Sequence, residues 1–208
     1  MDKLSLKQWP KWLLIVILLS PLLHTFAQEK QPAAKKPLTL SLFNTGSQLP
    51  GSGVLGVFTL PVHPGICVGT EFSYNQSKTN QWFQTAKVGA FYHQLAQTAI
   101  QLYTEAGYRR VFSEKFSGEF RLGGGYLHAI PATEVFEQTE SGTWEKSNSL
   151  GRPMGTFTTS LGVNYHLNKD IRLTLGYQFS MQLPFVREYV PLLPYTAIHA
   201  GVAFPLIP

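Results

Sequence analysis

From Gln101 to Ile130 the chain reads QLYTEAGYRRVFSEKFSGEFRLGGGYLHAI, and no other stretch constrains the fold as much. Polarity alternates residue by residue, which is the period of a β-strand, whose successive side chains point to opposite faces of a sheet. Glu105, Arg109, Glu119 and Arg121 fall on one parity, while Leu102, Tyr108 and Leu122 fall on the other. A sheet with one charged and one apolar face has two solutions. Either the apolar face closes against a second sheet and the charges meet water, or the sheet closes on itself with the charges turned inward.

The rest of the chain repeats the pattern. Runs of about ten residues with period-2 alternation predict eight strands near 52–61, 66–76, 81–93, 97–110, 115–129, 155–167, 170–182 and 194–205. No later segment carries a helix period, and no internal repeat is present. The connections NQSKTN, VFSEK and LNKD are short and polar, whereas Ile130–Met154 and Leu183–Leu193 are long. Counting back from the last strand, the short turns share one end and the long loops the other. PLTLSLFNTG at 37–46 reads as a further strand or as a piece tucked against the sheet.

Parity decides between the two solutions. In 170–182, Ile171, Leu173, Leu175, Tyr177, Phe179 and Met181 oppose Arg172, Thr174, Gly176, Gln178 and Gln182. The polar face also carries Gly69, Gly89, Gly107, Gly123, Gly125, Gly162, Gly176 and Gly201, small residues that suit a narrow lumen better than open solvent. Aromatic residues gather at two heights. Tyr74, Trp82, Phe83, Tyr108, Phe112, Phe116, Tyr165 and Phe204 fall at the short-turn end, and Tyr92, Tyr126, Phe157 and Phe179 toward the other. A sandwich core would centre such rings, whereas membrane interfaces draw them into two belts. The expectation is an all-β, antiparallel, eight-stranded up-and-down transmembrane barrel with the charged face inside.

The N-terminus agrees with export. Lys3, Lys7 and Lys11 precede WLLIVILLSPLLHTFA, whose apolar run is broken by Ser20-Pro21 and ends in small residues, so residues 1–27 read as a cleaved signal peptide. A polar leader follows in 28–51, and the barrel domain is expected over 52–208. The formal charge of +5 includes those lysines and Lys30, Lys35 and Lys36, so it implies no nucleic-acid partner. Cys67 is the one cysteine, which excludes an intrachain disulfide.

Signal, strand count, loop asymmetry, glycine-charged lumen and the late aromatic Phe204 together resemble the small outer-membrane β-barrel proteins of Gram-negative bacteria, of a Bacteroidota-like type. The resemblance spans most of 52–208. It implies outer-membrane localisation, contact with outer-membrane lipid and insertion by the barrel assembly machinery. The chain departs from it where PLIP follows Phe204.

Catalytic motifs are scarce. GSGVLG at 51–56 matches G-x-G-x-x-G but leads into VFTLPVHPG rather than a helix, so no helix N-terminus is offered to a pyrophosphate. HExxH, CxxC and G-x-S-x-G are all missing, as is the His-x-Ser of rim lipid A enzymes. No cofactor and no resident metal is expected. The inward charges Glu71, Lys87, Glu105, Arg109, Glu119 and Arg121 predict a cross-lumen network, because a lumen of eight strands is just wide enough for side chains to fill it. His63, His93 and His128 fall at the outer end as candidate ligand-binding residues. Their convergence requires a bulge at Gly123–Gly125 to turn His128 inward. The function expected is a structural or surface-binding outer-membrane protein with a filled or narrowly gated lumen and a surface glycan or protein as partner. A lipid-modifying enzyme at the rim and a narrow channel are the alternatives.

Overall fold

The computed structural model describes residues 36–50, 61–75, 77–94, 96–134, 136–138, 142–146, 150–184 and 191–206. The expected signal peptide, the Gly-x-Gly motif and, but for Pro61, the strand expected at 52–61 lie outside them. The strands are β1 (Pro37–Gly46), β2 (Pro64–Ser73), β3 (Asn80–His93), β4 (Gln97–Val111), β5 (Phe116–Pro131), β6 (Phe136–Gln138), β7 (Trp144–Lys146), β8 (Arg152–His166), β9 (Arg172–Leu183) and β10 (Leu193–Pro205). Eight of them close an antiparallel barrel in the order β1-β10-β9-β8-β5-β4-β3-β2, and β6 and β7 form a separate hairpin within the β5–β8 connection.

The first barrel strand differs from the expected one. β1 lies inside the segment read as leader, so the barrel begins at Pro37 rather than at residue 52. Its ladder with β10 runs unbroken from Pro37↔Pro205 to Gly46↔Thr196, and its other edge pairs with β2 from Leu38↔Thr70 to Asn44↔Pro64. Both edges are thereby satisfied, and the barrel closes among the described strands. Alternation in LTLSLFN identifies a strand, but alternation is local and does not say which strand reaches the C-terminal edge.

Side-chain direction follows the expected parity. On β4, Gln97, Ala99, Gln101, Tyr103, Glu105, Gly107 and Arg109 are buried, while Ile100 and Leu102 are exposed. On β9, Leu173 and Leu175 face out, and Gln178, Ser180 and Gln182 face in. Outside is therefore the apolar surface and inside the polar one. β3, β4, β5 and β8 are 14, 15, 16 and 15 residues long, more than the ~9–11 that cross a hydrocarbon core, so their ends project beyond such a layer.

Turn chemistry closes the short-turn end. Asn168 Oδ1 accepts the N–H groups of Asp170 and Ile171 at 2.9 and 2.7 Å, and Asn75 Oδ1 accepts that of Trp82 at 2.8 Å. These side chains stand in for backbone acceptors that tight turns leave short. At Gly123 and Gly125 the backbones of β4 and β5 come together: a Cβ would lie 1.9 Å from Thr104 O and 2.1 Å from Leu102 O. The β4–β5 ladder nevertheless runs from Gln97↔Pro131 to Val111↔Ser117 without a skipped residue. No bulge interrupts β5, and His128 stays on the outward parity.

Candidate functional site

Inward charges from β2, β3, β4, β5 and β9 meet in the half of the lumen nearer the short turns. Arg109 donates from Nη1 and Nη2 to the two oxygens of Glu71 at 2.8 and 2.6 Å, and from Nε to Glu119 Oε2 at 2.9 Å. Its guanidinium also lies 4.4 Å from the centroid of the Phe83 ring. Arg172 reaches Glu71 at 2.9 Å, and Arg121 Nη1 reaches Glu119 at 3.2 Å. Glu105, fully buried, accepts Lys87 Nζ at 2.5 Å and the hydroxyls of Ser160 and Thr158 at 3.0 and 3.2 Å. The six charges expected to form a network are all in it, joined by Arg172, which the parity of 170–182 also turns inward. Asn164, Thr158 and Ser160 were not anticipated, although they lie on the inward parity of 155–167. Asn164 donates to Glu119 at 2.9 Å.

Phe83 was expected in the short-turn aromatic belt and instead faces the lumen, where its ring covers Gly107 across the β3–β4 ladder. Its parity is that of Lys87, so the signal was present. Trp82, Tyr74, Phe112, Phe116 and Phe204 do face outward, and Trp82 packs on Tyr108 with centroids 4.9 Å apart.

Toward the long-loop end the filling changes from ionic to aromatic and amide. Phe43, Phe91, Leu127, Met154 and Tyr195 form one buried cluster, with Phe91 and Tyr195 rings 5.6 Å apart. Gln97 donates to Gln182 across the lumen at 2.9 Å, and Tyr195 donates to Gln101 Oε1 at 3.3 Å.

At the long-loop mouth the histidines divide. His63 and His93 stack face to face, 3.6 Å between centroids and 6° between planes. Thr45 O lies 3.1 Å from His63 Nδ1, and Ser47 Oγ lies 3.1 Å from His93 Nε2. His128 does not join them. It stays on the outer surface, against Tyr126 Oη at 2.9 Å and Leu150 O at 3.1 Å. Stacked rings aim their in-plane lone pairs along parallel planes, and among the described residues no group of three His, Cys, Asp or Glu side chains is arranged to hold a metal. The convergence of His63, His93 and His128 is thus not formed, for want of the bulge it required.

Beyond the mouth, β6 and β7 register Phe136 against Lys146 and present Phe136 and Trp144 to solvent, Trp144 67% exposed. Lys146 pairs with Glu134 at 2.5 Å.

No protein-family model and no curated protein matches the sequence. Among solved structures the chain is similar to Neisserial surface protein A, with 12% identity and a TM-score of 0.49 over 85% of this chain and 100% of that one. It is also similar to the outer membrane enzyme PagL, with 8% identity and a TM-score of 0.47 over 82% and 99% of the two chains. A third similar structure is Ail, the attachment invasion locus protein of Yersinia pestis, with 11% identity and a TM-score of 0.46 over 82% and 97%.

Proposed function

We propose that the chain is an outer-membrane β-barrel protein with a plugged lumen, and that it acts through the surface carried by its long-loop end. The observation that carries this reading is the inversion of polarity. The ion-paired network is sealed inside while Ile100, Leu102, Leu161, Val163 and Leu175 are left bare outside. A water-soluble barrel would not expose such a band, and lipid is the medium that covers it. Trp82 and Phe116 at one height and Tyr92 and Tyr126 at the other supply the interfacial rings. The lumen then serves stability, and recognition falls to Phe136 and Trp144 on the β6–β7 hairpin, aromatic groups suited to stack on a surface glycan or an apolar protein patch.

Two measurements test this. The refolded protein in planar bilayers is expected to give no discrete conductance steps, and regular steps would restore the channel reading. In cells, a cysteine at Gly142 is expected to react with a membrane-impermeant maleimide while one at Lys78 does not. The reverse pattern would place the hairpin on the periplasmic side.

A second reading, a lipid-modifying enzyme at the rim, has one observation in its favour. The Ser47–His93 hydrogen bond holds a hydroxyl within reach of an imidazole base. Against it, His93 Nδ1 is buried without a hydrogen-bond partner among the described residues, so nothing there orients the ring as a third member would. Lipid A mass spectra from cells carrying Ser47→Ala, if identical to wild type, exclude this reading.

A further inference from the structure

The lumen charges do not cancel. Glu71, Glu105 and Glu119 contribute three negative charges, and Lys87, Arg109, Arg121 and Arg172 four positive ones, an excess of one cation in the network. Arg152 stands apart from this count at the long-loop mouth, where it is engaged elsewhere. Arg109 meets carboxylates at all three of its nitrogens, whereas Lys87 and Arg172 each make one hydrogen bond to a carboxylate, Arg172 Nε having no partner among the described residues. Arg121 pairs with Glu119 through Nη1 at 3.2 Å, but its Nε faces Glu105 at 3.8 Å, beyond hydrogen-bond reach, and has no other partner among the described residues.

Beside Arg121 lies a cavity of about 30 Å³. Lys87, Arg121 and His199 line it together with the hydroxyl-bearing Thr39, Ser41 and Thr174, and no carboxylate does. Arg121 and His199 are each only 9% exposed, and His199 Nε2, like Arg121 Nε, is buried without a hydrogen-bond partner among the described residues. Buried polar groups are ordinarily satisfied, and an uncompensated buried charge is expensive. Both debts are met by one occupant. A water-sized site needs ~10–15 Å³ of such space, so the cavity holds one halide-sized ion or about two waters.

We propose that this cavity is a binding site for a single small monovalent anion of halide size, held between Lys87 and Arg121 and bounded by His199 and the hydroxyls of β1 and β9. The anion brings the network to neutrality and accepts hydrogen bonds that Glu105 is too far away to accept. Water alone would satisfy the donors but leave the excess charge.

Crystals of the refolded barrel grown in sodium bromide provide the test. An anomalous peak between Lys87 and Arg121 is expected in the wild type. It should be lost in Lys87→Met, which removes the excess cation, and in Ser41→Leu, which fills the void while leaving both cations in place. In solution, the unfolding temperature should rise with bromide concentration, sodium gluconate at equal ionic strength giving no such rise. If either variant fails to fold, the wild-type map alone decides. Density at that position with no anomalous signal at saturating bromide means water and overturns the proposal, as does a peak that persists in Ser41→Leu.

Discussion

At the scale of single residues, Glu105 is the hinge of the network. It is fully buried and gathers Lys87, Ser160 and Thr158, with Arg121 close by. Removing one partner of a buried ion pair leaves the other uncompensated, which costs roughly 3–5 kcal/mol. Glu105→Ala is therefore expected to lower the urea midpoint of the refolded barrel by that order, and an unchanged midpoint contradicts the network. Gly123 is a second such position. A methyl there meets the backbone oxygen Thr104 O at 1.9 Å, whereas at Gly155 the nearest atom is 3.5 Å away. Gly123→Ala should impair refolding while Gly155→Ala is tolerated, and equal yields for the two would show that the β4–β5 approach is looser than described. Both effects were partly legible in the sequence. Parity named Glu105 as inward and flagged the glycines, but how close two backbones come depends on how neighbouring strands coil.

At the scale of the strand, the question is which medium each face meets. Leu175 is 61% exposed on β9, between Leu173 and Tyr177 on the same face, while Thr174 next to it donates inward to Asn164 Oδ1 at 2.8 Å. Replacing Leu175 by Arg is expected to cost ~2–4 kcal/mol if the residue sits near the bilayer midplane. Thr174→Ala, which loses one neutral hydrogen bond, should cost about 1 kcal/mol. Equilibrium unfolding in lipid vesicles measures both, and equal penalties would contradict the assignment of faces. Strand type and facing were readable because period-2 alternation is a property of neighbouring residues. Phe83 shows the limit of reading by residue type: counted with the interfacial aromatics, it is instead the lid over Gly107 and the platform for Arg109.

At the scale of the molecule, closure is the decisive event. β1 supplies the only contact between the first and last parts of the described sheet, pairing β10 on one side and β2 on the other. Removal of residues 37–46 leaves two strand edges with unpaired backbone groups, which an apolar medium does not tolerate. That deletion is expected to abolish a protease-resistant barrel in detergent, whereas deletion of 136–146 should preserve it. A resistant barrel without 37–46 would mean that another segment, such as 52–61, can close the sheet.

What the sequence determined by itself was local: strands rather than helices, a charged face and an apolar face on each, short turns at one end, and the inward set from Glu71 to Arg172. Each follows from the pleat, which fixes the direction of a side chain from its immediate neighbours. What only the tertiary structure decided was relational. That Pro37–Gly46 closes the barrel, that His63 meets His93 while His128 stays outside, and that Lys87, Arg121 and His199 surround one void all depend on the register between strands far apart in the chain. Alternation repeats every two residues, so it leaves open both which strand is a neighbour and at what offset. Those choices are made when the backbone hydrogen bonds of all eight strands must be satisfied at once.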